Sequence, residues 1–160
     1  MARDKYLKPD GALYPSHARM FLVPIRSHQS NQRKQDFDNS LAGWTEFVED
    51  MQDFYKVDLG CLDGDFHAEQ QEYFLQTSQW CDVHPDQMMG PPCCFKEYDL
   101  KTVTLEELKA PLRAEFALPL HVGGPVESIC GYFDTSFRGS RENPAYQEVL
   151  LTTAPDATGS

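Results

Sequence analysis

No stretch of this 160-residue chain approaches the apolar length of a membrane span, so no transmembrane helix is expected. Nothing like a secretory leader follows the first residues, because Arg3-Asp4-Lys5 has no apolar region behind it. Long polar runs and low-complexity tracts are missing too. With 41% hydrophobic and 12% aromatic residues, the composition is that of a folded domain with a core. Cysteine is sparse and irregularly placed. Cys61, Cys81, Cys93, Cys94 and Cys130 are odd in number and show no Cys-x-x-Cys spacing, which argues against a disulfide framework or a zinc module. Reduced, buried thiols are the expectation, in cytoplasm or nucleus. His17, His28, His67, His84 and His121 are dispersed without ligand spacing, so no metal site is expected. No nucleophile-elbow motif occurs. Gly123-Gly124 precedes Pro125 and opens no helix, so a glycine-rich nucleotide turn is also missing.

Positive charge is scarce as well. Fourteen Lys and Arg face 25 Asp and Glu, a net charge of −11. Such a chain is not expected to grip nucleic-acid phosphates directly, and its field attracts basic partners.

What is present divides into segments. Asp4 to Lys8 reads as the end of a helix stopped by Pro9 and Gly11. Ala18 to Ile25 is strand-like, and Pro24 argues for a strand end or a sheet edge. Arg26 to Gln35 is polar without apolar period and reads as a loop. A helix is then expected from Asn39 or Ser40, either of which can cap it. Leu41, Trp44, Phe47, Val48, Met51, Phe54 and Tyr55 recur three and four apart and form one wide apolar stripe. Glu46, Glu49, Asp50 and Asp53 fill the positions between. So aromatic a face has to be buried against something.

Gly60 and Gly64 bracket an acidic turn, and a second helix is plausible over Ala68 to Phe74. Pro85 to Met89 suggests one helical turn, and Gly90-Pro91-Pro92 is a break. Strands follow at Cys94–Leu100, Ser128–Phe137 and Gln147–Thr153, with an extended stretch over Ala114–Val122. Thr104-Leu105-Glu106-Glu107 is a capping box opening a short helix. Adjacent Glu106 and Glu107 cannot face one another on a helix, so they are not expected to be a catalytic pair.

Several segments resemble the protein arginine methyltransferases, in the same order. They are Ala-Arg-Asp-Lys-Tyr-Leu-Lys-Pro (2–9), Tyr14-Pro15, Lys96-Glu97-Tyr98-Asp99, Gly131-Tyr132-Phe133-Asp134, and Thr152-Thr153-Ala154-Pro155-Asp156. Asp36-Phe37-Asp38, Trp44, Tyr55 and Gln76-Thr77-Ser78-Gln79-Trp80 most resemble the plant-type branch with a long dimerisation arm. The resemblance implies a mainly β fold with a helical insertion. That fold is a partial antiparallel β-barrel with a projecting helical dimerisation arm, preceded by the tail of a Rossmann-like domain. Residues 1–15 would end the methyl-donor domain, with Tyr14-Pro15 as a cis junction. Residues 16–160 would be barrel, with the arm over about 36–66 and the apolar stripe as its docking face. Packing of that stripe on its own barrel is the competing expectation.

The parent activity implied is methyl transfer from S-adenosylmethionine to arginine in histones or RNA-binding proteins, by a homodimer of cytoplasm and nucleus. Both ends of the chain look like the interior of a longer protein. The family's glutamate loop, donor-binding turn and Thr-His-Trp loop have no counterpart here. The chain alone is therefore expected to bind no donor, carry no catalytic residue and be inactive. Asp134 and the acidic arm residues are candidates for holding arginine-rich tails. A non-catalytic scaffold for an active homologue and an unrelated β-sandwich binding module are the alternatives.

Overall fold

The structure is a computed structural model that describes residues 2–155. The chain divides into two compact units: Met1–Arg26 with Asp82–Ser160, and Ser27–Cys81.

The first unit is built on an antiparallel four-stranded sheet. Its strands are β1 (His17–Ile25), β2 (Cys93–Asp99), β3 (Ser128–Gly139) and β4 (Pro144–Thr152), in the order β2-β1-β3-β4. The sheet is open, as a partial barrel requires. β1 therefore lies inside the sheet, paired to β2 from His17↔Asp99 to Leu22↔Cys93 and to β3 from His17↔Ser136 to Ile25↔Ser128. An interior strand with a proline calls for an explanation. Pro24 lies past Leu22, where the β2 ladder has already ended, so no ladder hydrogen bond is lost. Its carbonyl accepts instead from Met89 N–H at 2.9 Å. Strand end was the right expectation for Pro24, and sheet edge was not.

The core of this unit sits around that junction: Val23, Pro24, Ile25 and Met89 are all buried. Gly90 lies against the backbone of Pro119, where an added Cβ would come within 2.0 Å of the carbonyl oxygen. The expected extended stretch over 114–122 forms no strand. It is held at its far end by His121 and Val122 N–H bonds to the Met89 carbonyl.

Helix α1 (Ala2–Tyr6) is followed by the Tyr14–Pro15 peptide, which is cis. Arg3 reaches the turn after β2 and donates to the carbonyls of Leu100 (2.9 Å) and Val103 (2.7 Å). Thr104 caps the short helix that follows, Leu105–Lys109, by accepting from Glu107 N–H. The box is only half made. The Glu107 carboxylate turns away from the cap and takes Lys96 Nζ at 2.9 Å, which raises the Lys96 pKa.

The second unit is a helical hairpin. Helix α2 runs from His28 to Tyr55, and helix α3 from Asp63 to Gln71, continued by a π turn over Glu72–Gln76. At 28 residues, α2 is about 42 Å long. It starts eleven residues before Asn39, where the sequence suggested a loop. Ser27 is the cap, with an extended backbone and its hydroxyl accepting from Ser30 N–H at 3.2 Å.

Candidate functional site

The helical hairpin carries the candidate site. The two helices are joined along one line of contacts. Arg33 donates to the carbonyls of Phe74 (2.8 Å) and Tyr73, satisfying acceptors at the C-terminal end of the second helix. Buried Phe37 meets the His67 ring edge-on at 5.6 Å. Ser40 Oγ bonds to Gln70 Oε1 at 2.8 Å. Trp44 closes the series by stacking on Phe66 at 4.4 Å and donating Nε1–H to Asp63 at 2.7 Å. As α2 residue numbers rise from 33 to 44, their partners fall from 74 to 63, so the helices run antiparallel.

Trp44 meets the first residue of α3, and eleven residues of α2 lie beyond it. The apolar stripe is split into two sides. Leu41, Trp44, Val48 and Met51 are half-buried. Phe47 is 48% exposed, Phe54 77% and Tyr55 70%. Val57 and Leu62, in the connection between the helices, are exposed too. The expectation that the whole aromatic face is buried is thus met only on one side of the stripe. Lys56 ends α2 in the left-handed conformation, φ 60°, with its N–H on the carbonyls of Gln52 and Met51.

Other candidates fare differently. Asp134 is withdrawn from substrate contact. It is buried and takes a two-pronged ion pair from Arg19, Nε to Oδ1 at 2.9 Å and Nη2 to Oδ2 at 2.8 Å. The bond raises the pKa of the arginine. Glu106 and Glu107 converge on no common point, since Glu107 is held by Lys96. The thiols are not buried as expected: Cys61, Cys81 and Cys94 are exposed, Cys93 and Cys130 half-buried. Among the described residues no cluster of three metal-ligating side chains occurs, and no helix is long and apolar enough to cross a membrane.

The sheet unit has an open cleft of about 570 Å³ beside the Tyr14–Pro15 junction. His17, Lys101, Arg138, Arg141 and Glu142 line it. Arg138 bridges Glu97 (3.0 Å) and His17 Nδ1 (3.0 Å), and Lys101 lies 3.6 Å from Glu142. Most of the cleft's charges therefore already have partners. A methyl donor of the adenosyl type needs a glycine turn between a strand and a helix. Among the described residues Gly123 and Gly124 lie in irregular chain, and a side chain at Gly124 would meet Arg26. These residues do not fit that cofactor.

Sequence reading missed Arg33, Phe37 and Phe66. A signal existed for the last two, since Phe37 and Phe66 are isolated aromatics in polar stretches. Arg33 had none, because its partners are backbone carbonyls some forty residues away.

Comparison with known proteins addresses the whole chain. Residues 16–160 match the family model described as the arginine methyltransferase oligomerization subdomain. Protein arginine N-methyltransferase PRMT10 of Oryza sativa subsp. japonica is 42% identical over 159 residues, covering 99% of this chain and 42% of the rice protein. PRMT10 of Arabidopsis thaliana is 40% identical over 157 residues. The crystal structure of Arabidopsis protein arginine methyltransferase 10, described as a uniquely open conformation, superposes with TM-score 0.82 at 39% identity. That match covers 98% of this chain and 45% of the Arabidopsis chain. A Trypanosoma brucei PRMT1 enzyme–prozyme heterotetrameric complex with AdoHcy shares the fold, with TM-score 0.62 at 21% identity. The chain spans about two-fifths of the length of these curated relatives. With the order of the motifs, the open sheet, the helical insertion and the family match in agreement, this chain belongs to the protein arginine methyltransferases, in their C-terminal oligomerization subdomain.

Proposed function

We propose that this chain supplies the barrel and dimerisation arm of an S-adenosylmethionine-dependent protein arginine methyltransferase, and that the arm docks on a second subunit to form a homodimer. The observation that carries the reading is the bare side of α2. Phe47, Phe54 and Tyr55 lie exposed in an otherwise stapled hairpin, within a chain matching an oligomerization subdomain. Exposed aromatic groups so placed are typical anchors of a protein interface. On this reading residues 1–15 end the donor domain, Tyr14-Pro15 is the junction, and 16–160 is barrel with its arm over about 36–66. Leu41, Val48 and Met51 flank the anchors, and Trp44 holds the hairpin that presents them. The parent enzyme methylates arginine in histones or RNA-binding proteins, in cytoplasm and nucleus.

Sedimentation of the full-length protein tests the arm. A dimer is expected, and Phe47→Ser with Phe54→Ser is expected to give a monomer of unchanged helix content. A stable dimer after both changes rejects the assignment. The 160-residue chain incubated with labelled donor and a Gly-Arg-rich peptide is expected to transfer no methyl group. Transfer above a heat-killed control overturns that part.

A further inference from the structure

We propose that the cleft of the sheet unit binds a small organic anion, whose carboxylate or phosphate group is gripped by Arg141. The site is separate from the arm, and the proposal stands or falls independently of the methyltransferase reading. The cleft lies wholly within one compact unit, and at about 570 Å³ it has the size of a small-molecule site. What distinguishes it is the balance of donors and acceptors. Its carboxylates are already engaged. Asp99 accepts from Lys101 N–H at 2.8 Å. The Glu142 carboxyl is held below its usual range, first by its own backbone N–H and then by Lys101. Ser16 Oγ is engaged too, donating to the Ser136 carbonyl at 2.9 Å and accepting from Arg138 N–H at 3.1 Å.

Donors are left over. Arg141 lines the cleft, is exposed, and forms no hydrogen bond or ion pair among the described residues. Its guanidinium is a planar fork of N–H groups with no acceptor of its own. Arg138 spends Nε on His17 Nδ1 and Nη2 on Glu97, both at 3.0 Å, which leaves Nη1. Because His17 accepts at Nδ1, its ring carries the proton at Nε2, a further donor. A cleft whose acceptors are engaged and whose donors are not favours a ligand that brings acceptors. The fork suits a carboxylate or phosphate better than a neutral carbonyl, since bonds to an ionised oxygen are roughly twice as strong. Lys101, Arg138 and Arg141 are balanced by Asp99, Glu142 and Glu97, so recognition rests on short-range bonds rather than on a surplus field. The turn that carries Arg141 is tight. Gly139 stands at φ 75°, and Ser140 N–H bonds to the Asn143 carbonyl at 3.1 Å. A Cβ at Gly139 would come within 2.5 Å of that carbonyl oxygen and 2.9 Å of Tyr14 Oη, so a short, packed hairpin presents the guanidinium.

Titration calorimetry of the full-length protein tests this. Succinate and glycerol phosphate carry the two groups on an organic body, and acetate and inorganic phosphate carry them without one. At least one organic probe is expected to saturate with a Kd of about 1 mM or below, and which one does so identifies the group. Arg141→Gln is expected to weaken that binding about tenfold or more. Arg113→Gln, outside the cleft, is expected to leave it unchanged. Circular dichroism checks that both variants are folded. No saturation by either organic probe at about 10 mM overturns the site. So does an Arg141→Gln protein that binds as wild type does, or an Arg113→Gln protein weakened to the same degree. Acetate or inorganic phosphate bound as tightly as its organic counterpart overturns the organic character of the ligand.

Discussion

Trp44 and Phe54 lie on one helix stripe ten residues apart, yet their truncation is expected to have opposite signatures. Trp44→Ala removes the stack on Phe66 at 4.4 Å and the Nε1–H bond to Asp63 at 2.7 Å. The stack is worth about 0.5–1.5 kcal/mol and a bond to a carboxylate about 1.5–3 kcal/mol. Trp44 is only half-buried, so a total of about 3 kcal/mol is expected, near the lower end for truncating a core tryptophan. The contacts staple α2 to the start of α3, so the loss belongs to the hairpin. Phe54 is 77% exposed, and its truncation is expected to change subunit stability by less than about 0.5 kcal/mol. As an interface anchor it is expected to weaken dimerisation by at least about 2 kcal/mol, roughly thirtyfold in Kd. Hydrogen exchange along α3 reads the first effect and sedimentation equilibrium the second. Unchanged α3 protection in Trp44→Ala refutes the staple. Unchanged dimerisation in Phe54→Ala, or a large fall in its subunit stability, refutes the division of the stripe.

Three further outcomes are expected. Arg19→Ala strands the buried Asp134 carboxylate and should cost about 2–3 kcal/mol by urea unfolding, below the full buried-pair penalty because the guanidinium is a third exposed. Arg19→Met with Asp134→Leu should recover most of that, and a double variant as unstable as the single one contradicts the pairing account. Gly90→Ala forces a Cβ to 2.0 Å from the Pro119 carbonyl and should cost about 1–3 kcal/mol, so a thermal midpoint equal to wild type refutes the close approach. The Glu142 carboxyl is held below its usual range of 4.5, first by its own backbone N–H and then by Lys101. Its contribution is therefore present above the unfolded pKa and lost as pH falls through the lower folded value. Carbon NMR should place its midpoint below 4.5, with Lys101→Met moving it only part of the way back. An unshifted midpoint removes the effect.

Much of the sheet was legible because strands announce themselves locally. β1 and β3 carry runs of β-branched and aromatic residues ended by turn residues, and both fall within two residues of expectation. The helix start was not legible. Residues 28–38 lack an apolar period, since Phe37 is the only buried side chain of α2. Their helical state is supported by the Ser27 cap and by the grip of Arg33 on carbonyls at 73 and 74. The same holds for Asp134, which reads in sequence as an acidic residue open to substrate. The register His17↔Ser136 sets Arg19 opposite it and consumes its charge.

The sequence by itself determined the family, the order of the segments, the acidic balance and the membership of the apolar stripe. Those properties are written in residue type and spacing, which survive without knowledge of what touches what. Tertiary structure alone decided which half of the stripe is spent and which is free. Leu41, Trp44, Val48 and Met51 form the half-buried side, and Trp44 is consumed in stapling α2 to the start of α3. Phe47, Phe54 and Tyr55, on the other side, stay exposed, because a periodic pattern states that a face is apolar and only packing states which part of that face a neighbour covers.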